Sequence, residues 1–273
     1  MSELAEKIQQ DLVEAIDNDD LVLPTLPEVA LQIRKAAEDP EISISTLSKV
    51  IGRDAALSAR LIKVVNSPLL RATQEVTDLH TAITRLGINY SSNLAIGLVM
   101  EQIFHARSEV VEQKMREVWR KSLEIAGVSY ALCRSYTQLK PDQAALGGLV
   151  HQIGVLPILT YAEDHYELLS DPVSLNHVID HIHPLLGDKL LRVWDFPDML
   201  VQVPRLYLNF KRESAQVDYV DLVQVASLYC HRDTDHPLSR LEPFSVPAFN
   251  KLRIDLDNKA MCADLEETRT MFY

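Results

Sequence analysis

Eight glycines in 273 residues is the feature that most narrows what this chain can fold into. At a usual glycine content of roughly 7%, a chain of this length would carry about 19. Hairpins and sheet crossings draw on glycine for positive φ, so scarcity favours helices joined by short connections. Apolar spacing agrees. Leu57, Leu61, Val64 and Val65 follow i, i+4, i+7, i+8, and Leu79, Ile83 and Leu86 follow i, i+4, i+7. Leu222, Val225, Ala226 and Tyr229 repeat in much the same way, and no run of strict alternation stands against them. The pattern predicts an all-α protein of roughly twelve to fourteen helices with little or no sheet.

Local signals place the helix ends. Thr25 and Glu28 have capping-box spacing, and Asp39-Pro40 closes the helix they would open. Asp54 is placed to cap a helix running to Asn66; Thr77 and Asp78 precede the Leu79 helix, which Gly87 ends. Pro141-Asp142 opens a segment carrying Gly147 to His151, and Ser174 is placed to cap a helix towards His183. Pro157 is expected to kink an apolar helix, while Pro184 and most other prolines read as boundaries. Residues 106–113 and 232–247 read as the main loops.

Charge and cysteine content set the functional limits. Lys and Arg total 27 against 39 Asp and Glu, a formal net charge of -12. That balance argues against an extended nucleic-acid surface and against an anionic membrane. The N-terminus lacks the basic start and apolar run of a signal peptide. The longest greasy run, Leu94 to Met100, is too short to cross a bilayer. Cys133, Cys230 and Cys262 are far apart and form no CxxC pair. A cytoplasmic protein is the expectation.

The residues from Leu23 to Phe104 carry a recognisable order: Leu23-Pro24-x-Leu26-Pro27, Asp54 through Leu61, Asn66-Ser67-Pro68, and Ala82-Ile83-x-x-Leu86-Gly87. Trp119-x-x-Ser122, Gly148 through Gly154, and His183-x-x-x-Gly187-x-x-Leu190-Leu191-x-x-Trp194-x-x-Pro197 follow. Over residues 20 to 235 this order resembles the HDOD family, the HD-related output domain of bacterial signalling proteins. The resemblance implies an all-α fold of two packed helical lobes. The divisions expected are an N-terminal helix over 1–22, an N-terminal lobe over 23–108, an HD-like lobe over 109–235 and a C-terminal helical extension over 236–273. That extension is expected either to pack on the body or to serve as a dimer or partner surface. From the residues alone, Asn66-Ser67-Pro68 reads as a helix stop whose side chains satisfy the last turn.

HD-type hydrolases, to which the family is related, hold divalent metal with a His, a His-Asp pair and a later Asp. Imidazoles suit borderline metals and carboxylates neutralise the ion, which then activates water. Carried over position by position, the resemblance puts Lys121 at the early His, His151-Gln152 at the pair and Ser227 at the late Asp. Both carboxylates are gone and a cation has entered. A unit charge about 4 Å from Lys would meet roughly 4 kcal/mol at an effective dielectric near 20, more for a divalent ion. We expect Lys121 to fill the vacated volume and hydrogen-bond Gln152 or His151; the alternative is an exposed surface lysine. His151 alone reads as a buried hydrogen-bonded histidine, and nearby His183 as a helix-start residue. His177 and His181 stand i, i+4 with the spacing of a metal pair, and read more readily as adventitious.

No GxGxxG, P-loop or GxSxG is present. Cys133 and Cys230 read as core, and Asp17 to Asp20 as a solvated helix end. Arg53, Arg60, Lys63 and Arg71 form either a small anion patch or an ordinary charged face. The resulting expectation is a stand-alone, non-catalytic regulatory module without cofactor or metal. It would bind a protein partner of a bacterial signalling pathway or a small ligand such as a nucleotide, with a homodimer left open. The alternatives are a metal-dependent phosphohydrolase and a nucleotide-binding regulator without chemistry.

Overall fold

A computed structural model describes residues 3–18, 23–68, 70, 74–255 and 258–272. Among them there is no β-strand and there are fifteen α-helical segments, just above the twelve to fourteen expected. The first six are α1 (Glu3–Asp17), α2 (Glu28–Ala37), α3 (Ile44–Ile51), α4 (Ala55–Val65), α5 (Leu79–Leu86) and α6 (Ile88–Val99). Then come α7 (Glu109–Tyr136), α8 (Pro141–Val150), α9 (Val155–Glu163), α10 (Tyr166–Leu169), α11 (Pro172–Val193) and α12 (Asp198–Leu206). The chain ends with α13 (Tyr219–His231), α14 (Pro247–Leu252) and α15 (Lys259–Thr268).

Several of the sequence's end signals act as read. The Asp54 carboxylate accepts from Leu57 N, Asp78 accepts from Thr81 N, and Gly87 follows α5 with φ +83°. Others are corrected. Pro27, not Thr25, precedes α2, and no side chain caps it. Asp171 rather than Ser174 caps α11, because Pro172 supplies a pre-set first residue that needs no N–H partner. Pro157 lies in the first turn of α9, where a missing N–H costs nothing, so it starts that helix rather than kinking it. Pro184 lies inside α11, so His183 is mid-helix rather than a helix start. Within the predicted 106–113 loop, α7 already begins at Glu109, capped by Ser108. The Asn66 backbone N–H meets last-turn carbonyls of α4, but its side chain does not: it holds Val76 by both backbone atoms, at 2.7 and 2.9 Å.

Two apolar cores share one long helix. The larger runs from α1 through α12, and the smaller joins α7 and α12 to α13, α14 and α15. α7 serves both, placing Trp119, Leu123 and Ala126 in one and Ile125, Val128 and Leu132 in the other. Every residue of α13 is buried, so it runs through the centre of the smaller core. The run Pro141–Glu163 is long and apolar enough to resemble a membrane span, yet 83% of its apolar window is buried inside the protein.

The C-terminal extension packs on the body. The carbonyl of Thr268 lies where a Cβ on Gly127 would sit, 1.9 Å away, so only glycine at this point of α7 admits the strand of chain leaving α15. Beyond it Met271 and Phe272 enter the larger core, stapling the two cores together.

Candidate functional site

The turn after α8, the middle of α11 and the end of α12 bring His151, Gln152, His183 and Tyr207 together. The close approach depends on Gly154: a Cβ there would stand 2.0 Å from the carbonyl of His183. The turn after α8 therefore rests directly on α11, and His151 and His183 share one buried space, each 1% exposed.

Hydrogen bonds fix the tautomers. His151 Nδ1 lies 2.7 Å from Gly148 O, and His183 Nδ1 lies 2.7 Å from Ile179 O. A carbonyl accepts only, so each Nδ1 carries the proton and each Nε2 presents a lone pair. On His183 that lone pair accepts from the Tyr207 hydroxyl at 2.8 Å. Gln152 Nε2 donates to the same hydroxyl at 3.4 Å, and the Tyr207 ring stands edge-on to His151 with centroids 4.9 Å apart. Tyr207 thus touches both members of the His151-Gln152 pair as well as His183, and makes the hydrogen bond with Gln152 that was expected of Lys121.

Lys121 turns elsewhere. Its Nζ donates to Glu124 Oε2 at 2.7 Å, one turn along α7, and Arg269 Nη2 donates to the same oxygen at 3.0 Å. It is neither a partner of Gln152 or His151 nor a solvent-exposed lysine: its side chain is half-buried against a charge that α7 and the C-terminal segment share. The reason is local, since the i, i+3 carboxylate reaches it first.

Ser227, at the late Asp position, is buried with its Oγ unpartnered. Its carbonyl accepts from His231 Nδ1 at 2.7 Å, and His231 lies against the ring of His236 at 4.2 Å. Burial pulls His151 down to about 3, and His183 and His231 to about 4, so all three are neutral at pH 7. Burial also raises the Tyr207 phenol, which stays protonated and donating.

These residues do not fit a divalent ion. Such a site needs anionic oxygen, and the groups gathered round His151 and His183 are an amide and a phenol. Among the described residues no three His, Cys, Asp or Glu side chains are arranged to hold a metal. His177 and His181 do stack, centroids 4.0 Å apart, without a third ligand. Of the four residues of the basic patch, Arg60 pairs with Glu101 and donates to Leu98 O, and Arg53 donates to Gln32. Arg71, Asp19 and Asp20 lie outside the described residues. Cys133 and Cys230 are buried, as expected of core.

Sequence reasoning missed Tyr207, His231 and Glu124. Only Glu124 had a signal, its i, i+3 spacing from Lys121; nothing in the sequence pairs Tyr207 with His183, 24 residues away.

An all-helical body, without a strand among the described residues and with a buried pair of histidines at its centre, defines the class. The family model for the HDOD domain matches residues 23–207, and the chain belongs to that family. A crystal structure from Shewanella amazonensis SB2B, provisionally named a metal-dependent phosphohydrolase, is 28% identical with a TM-score of 0.89, covering 98% of this chain and 99% of that one. An HDOD domain protein of unknown function from Geobacter sulfurreducens shares the fold at 19% identity and a TM-score of 0.70, over 99% and 97% of the two chains. An uncharacterized protein of Treponema pallidum (strain Nichols) is 23% identical over 285 residues, 96% of this chain; the chain spans about half (53%) of that relative's length.

Proposed function

We propose that this HDOD chain is a non-catalytic signalling module that acts by binding a protein partner or a small ligand. The observation that carries the reading is Tyr207, whose hydroxyl engages both His183 and Gln152 while its ring covers His151. A metal entering there would have to displace the phenol, break the hydrogen bond at His183, and do so without a carboxylate to compensate. The acidic composition, net charge -12, fits a protein or small-molecule partner better than a nucleic-acid lattice.

One observation favours a second reading, metal-dependent phosphohydrolase: the name of the Shewanella amazonensis relative, which covers nearly the whole chain. Metal content of untagged protein, prepared without chelator after manganese and iron supplementation, separates the two. The module reading expects near-zero stoichiometry and no manganese-dependent hydrolysis of cyclic dinucleotides. One or two metals per chain, with hydrolysis lost in His151→Ala, overturns it.

A further inference from the structure

The two ends of the chain are held to the body in different ways. At the C-terminus the carbonyl of Thr268 presses on Gly127, Arg269 Nη2 donates to Glu124 at 3.0 Å, and Met271 and Phe272 are buried in the larger core. At the N-terminus α1 lies along α11, anchored by buried Ile8 and Leu12 with Val13 partly buried beside them. Among the described residues, no salt bridge or side-chain hydrogen bond joins α1 to the body. Nor does α1 fill its seat. A space of about 430 Å³ opens between Lys7, Ile8 and Asp11 on one side and Tyr161, His165 and Glu167 on the other.

α1 does not sustain itself as a helix either. Its length of 15 residues is marginal for an isolated helix in water. Its acidic residues suit the first turn but not the last, where Glu14 and Asp17 stand without a basic residue at the negative end of the helix dipole. α1 is therefore helical because it is docked, and few anchors dock it. Elements with few buried contacts open ahead of the fold as a whole. What the seat accepts is shown by what sits in it. Leu4, Ile8 and Leu12 stand at i, i+4 and i+8, the spacing by which amphipathic helices lie in apolar grooves.

We infer that α1 is a detachable lid over a helix-binding groove along α11, and that the groove receives an amphipathic helix of a partner protein with aliphatic residues at i, i+4 and i+8. α1 is the resident occupant and competes with the partner from within the chain. The tether gives α1 a high local concentration, so the partner must dock better than α1 does. The space that α1 leaves unfilled supplies the margin, since a helix with bulkier side chains there gains packing contacts that α1 lacks. The inference rests on the binding-module reading and names its surface.

The test uses the full chain, hydrogen exchange read by mass spectrometry, and a labelled synthetic peptide of residues 3–17. In the wild-type chain the α1 amides should exchange at least about a hundredfold faster than those of α11 and α13. Leu12→Asp puts a charge at a fully buried position; it should abolish protection in α1 and leave α11 and α13 as in the wild type. The peptide should then bind the Leu12→Asp chain at least about tenfold more tightly than the wild-type chain, whose own α1 competes. The same peptide carrying Leu12→Asp should bind neither. Protection of wild-type α1 equal to that of α11, or loss of α11 protection in Leu12→Asp, overturns the lid. Equal binding of the peptide to both chains, or to neither, overturns the groove. None of these readouts involves metal, so a failure of the module reading, seen as one or two metals per chain, is told apart from a failure of the groove.

Discussion

Two polar clusters lie in the second half of the molecule, and they solve burial in opposite ways. Around Asp221, fully buried in the first turn of α13, the protein keeps the charge: Arg212 Nη1 donates to Oδ1 at 3.1 Å, Lys251 pairs with Oδ2, and Ser214 adds a bond at 3.3 Å. Around Tyr207 the protein removes it. His151, His183 and Gln152 are neutral, and a phenol links two of them. A buried ion is tolerable where cations from two other segments converge on it. Around Tyr207 no such convergence exists among the described residues, and the cluster is held by neutral hydrogen bonds. The contrast shows that buried polar groups can be satisfied without charge: a residue at the end of a neighbouring helix supplies the hydroxyl that His183 and Gln152 share.

Acidification should break the neutral cluster first and with the largest effect. His151, His183 and His231 have folded-state pKa values of about 3, 4 and 4, below the unfolded value near 6.5. The unfolded chain therefore binds protons first. The stability from these groups is complete above pH 6.5 and declines as pH falls towards about 4. Near pH 5 unfolding should take up about three protons from these sites, a slope of at most about 4 kcal/mol per pH unit. Urea denaturation between pH 7.5 and 5 measures it; a flat profile would show that the histidines are not buried neutral.

The charged cluster should yield to a single substitution. Asp221→Ala leaves Arg212 and Lys251 facing a neutral interior and should cost about 3–5 kcal/mol in denaturant unfolding at pH 7. A loss under about 1 kcal/mol would mean the ion pairs are not desolvated. Tyr207→Phe is milder: it removes the donor to His183 Nε2 and should cost about 1–3 kcal/mol. Its loss should be near additive with Asp221→Ala if the two clusters are independent. Lys121→Met should change stability least, by about 1 kcal/mol or less, because Arg269 still holds the shared Glu124 oxygen. If Lys121→Met proved as costly as Asp221→Ala, the half-buried pair would belong with the charged cluster.

The helical class, the caps at Asp54 and Asp78 and the stop at Gly87 were legible, because each rests on bonds within a few residues. The errors share a cause. Pro184 looks like a boundary locally, yet α11 continues through it under packing from α1, α9 and α12. Lys121 looks free to enter the old metal volume, yet a carboxylate three residues on holds it, with Arg269 from 145 residues beyond Glu124 on the same oxygen. Asn66 looks like a cap for its own helix, yet it braces Val76.

The sequence alone determined which residue types stand at the positions the family resemblance singles out: Lys121, His151, Gln152 and Ser227, none of them a carboxylate. It also determined the all-helical class, since glycine scarcity and a 3.6-residue period are properties of the chain itself. Which side chain would meet the buried histidines was decided only in three dimensions. Tyr207 lies at the end of α12, and it reaches His183 only because Gly154 lets the turn after α8 rest on α11 while α12 packs back along the same helix. Such contacts depend on how helices cross, and no spacing within one segment encodes that.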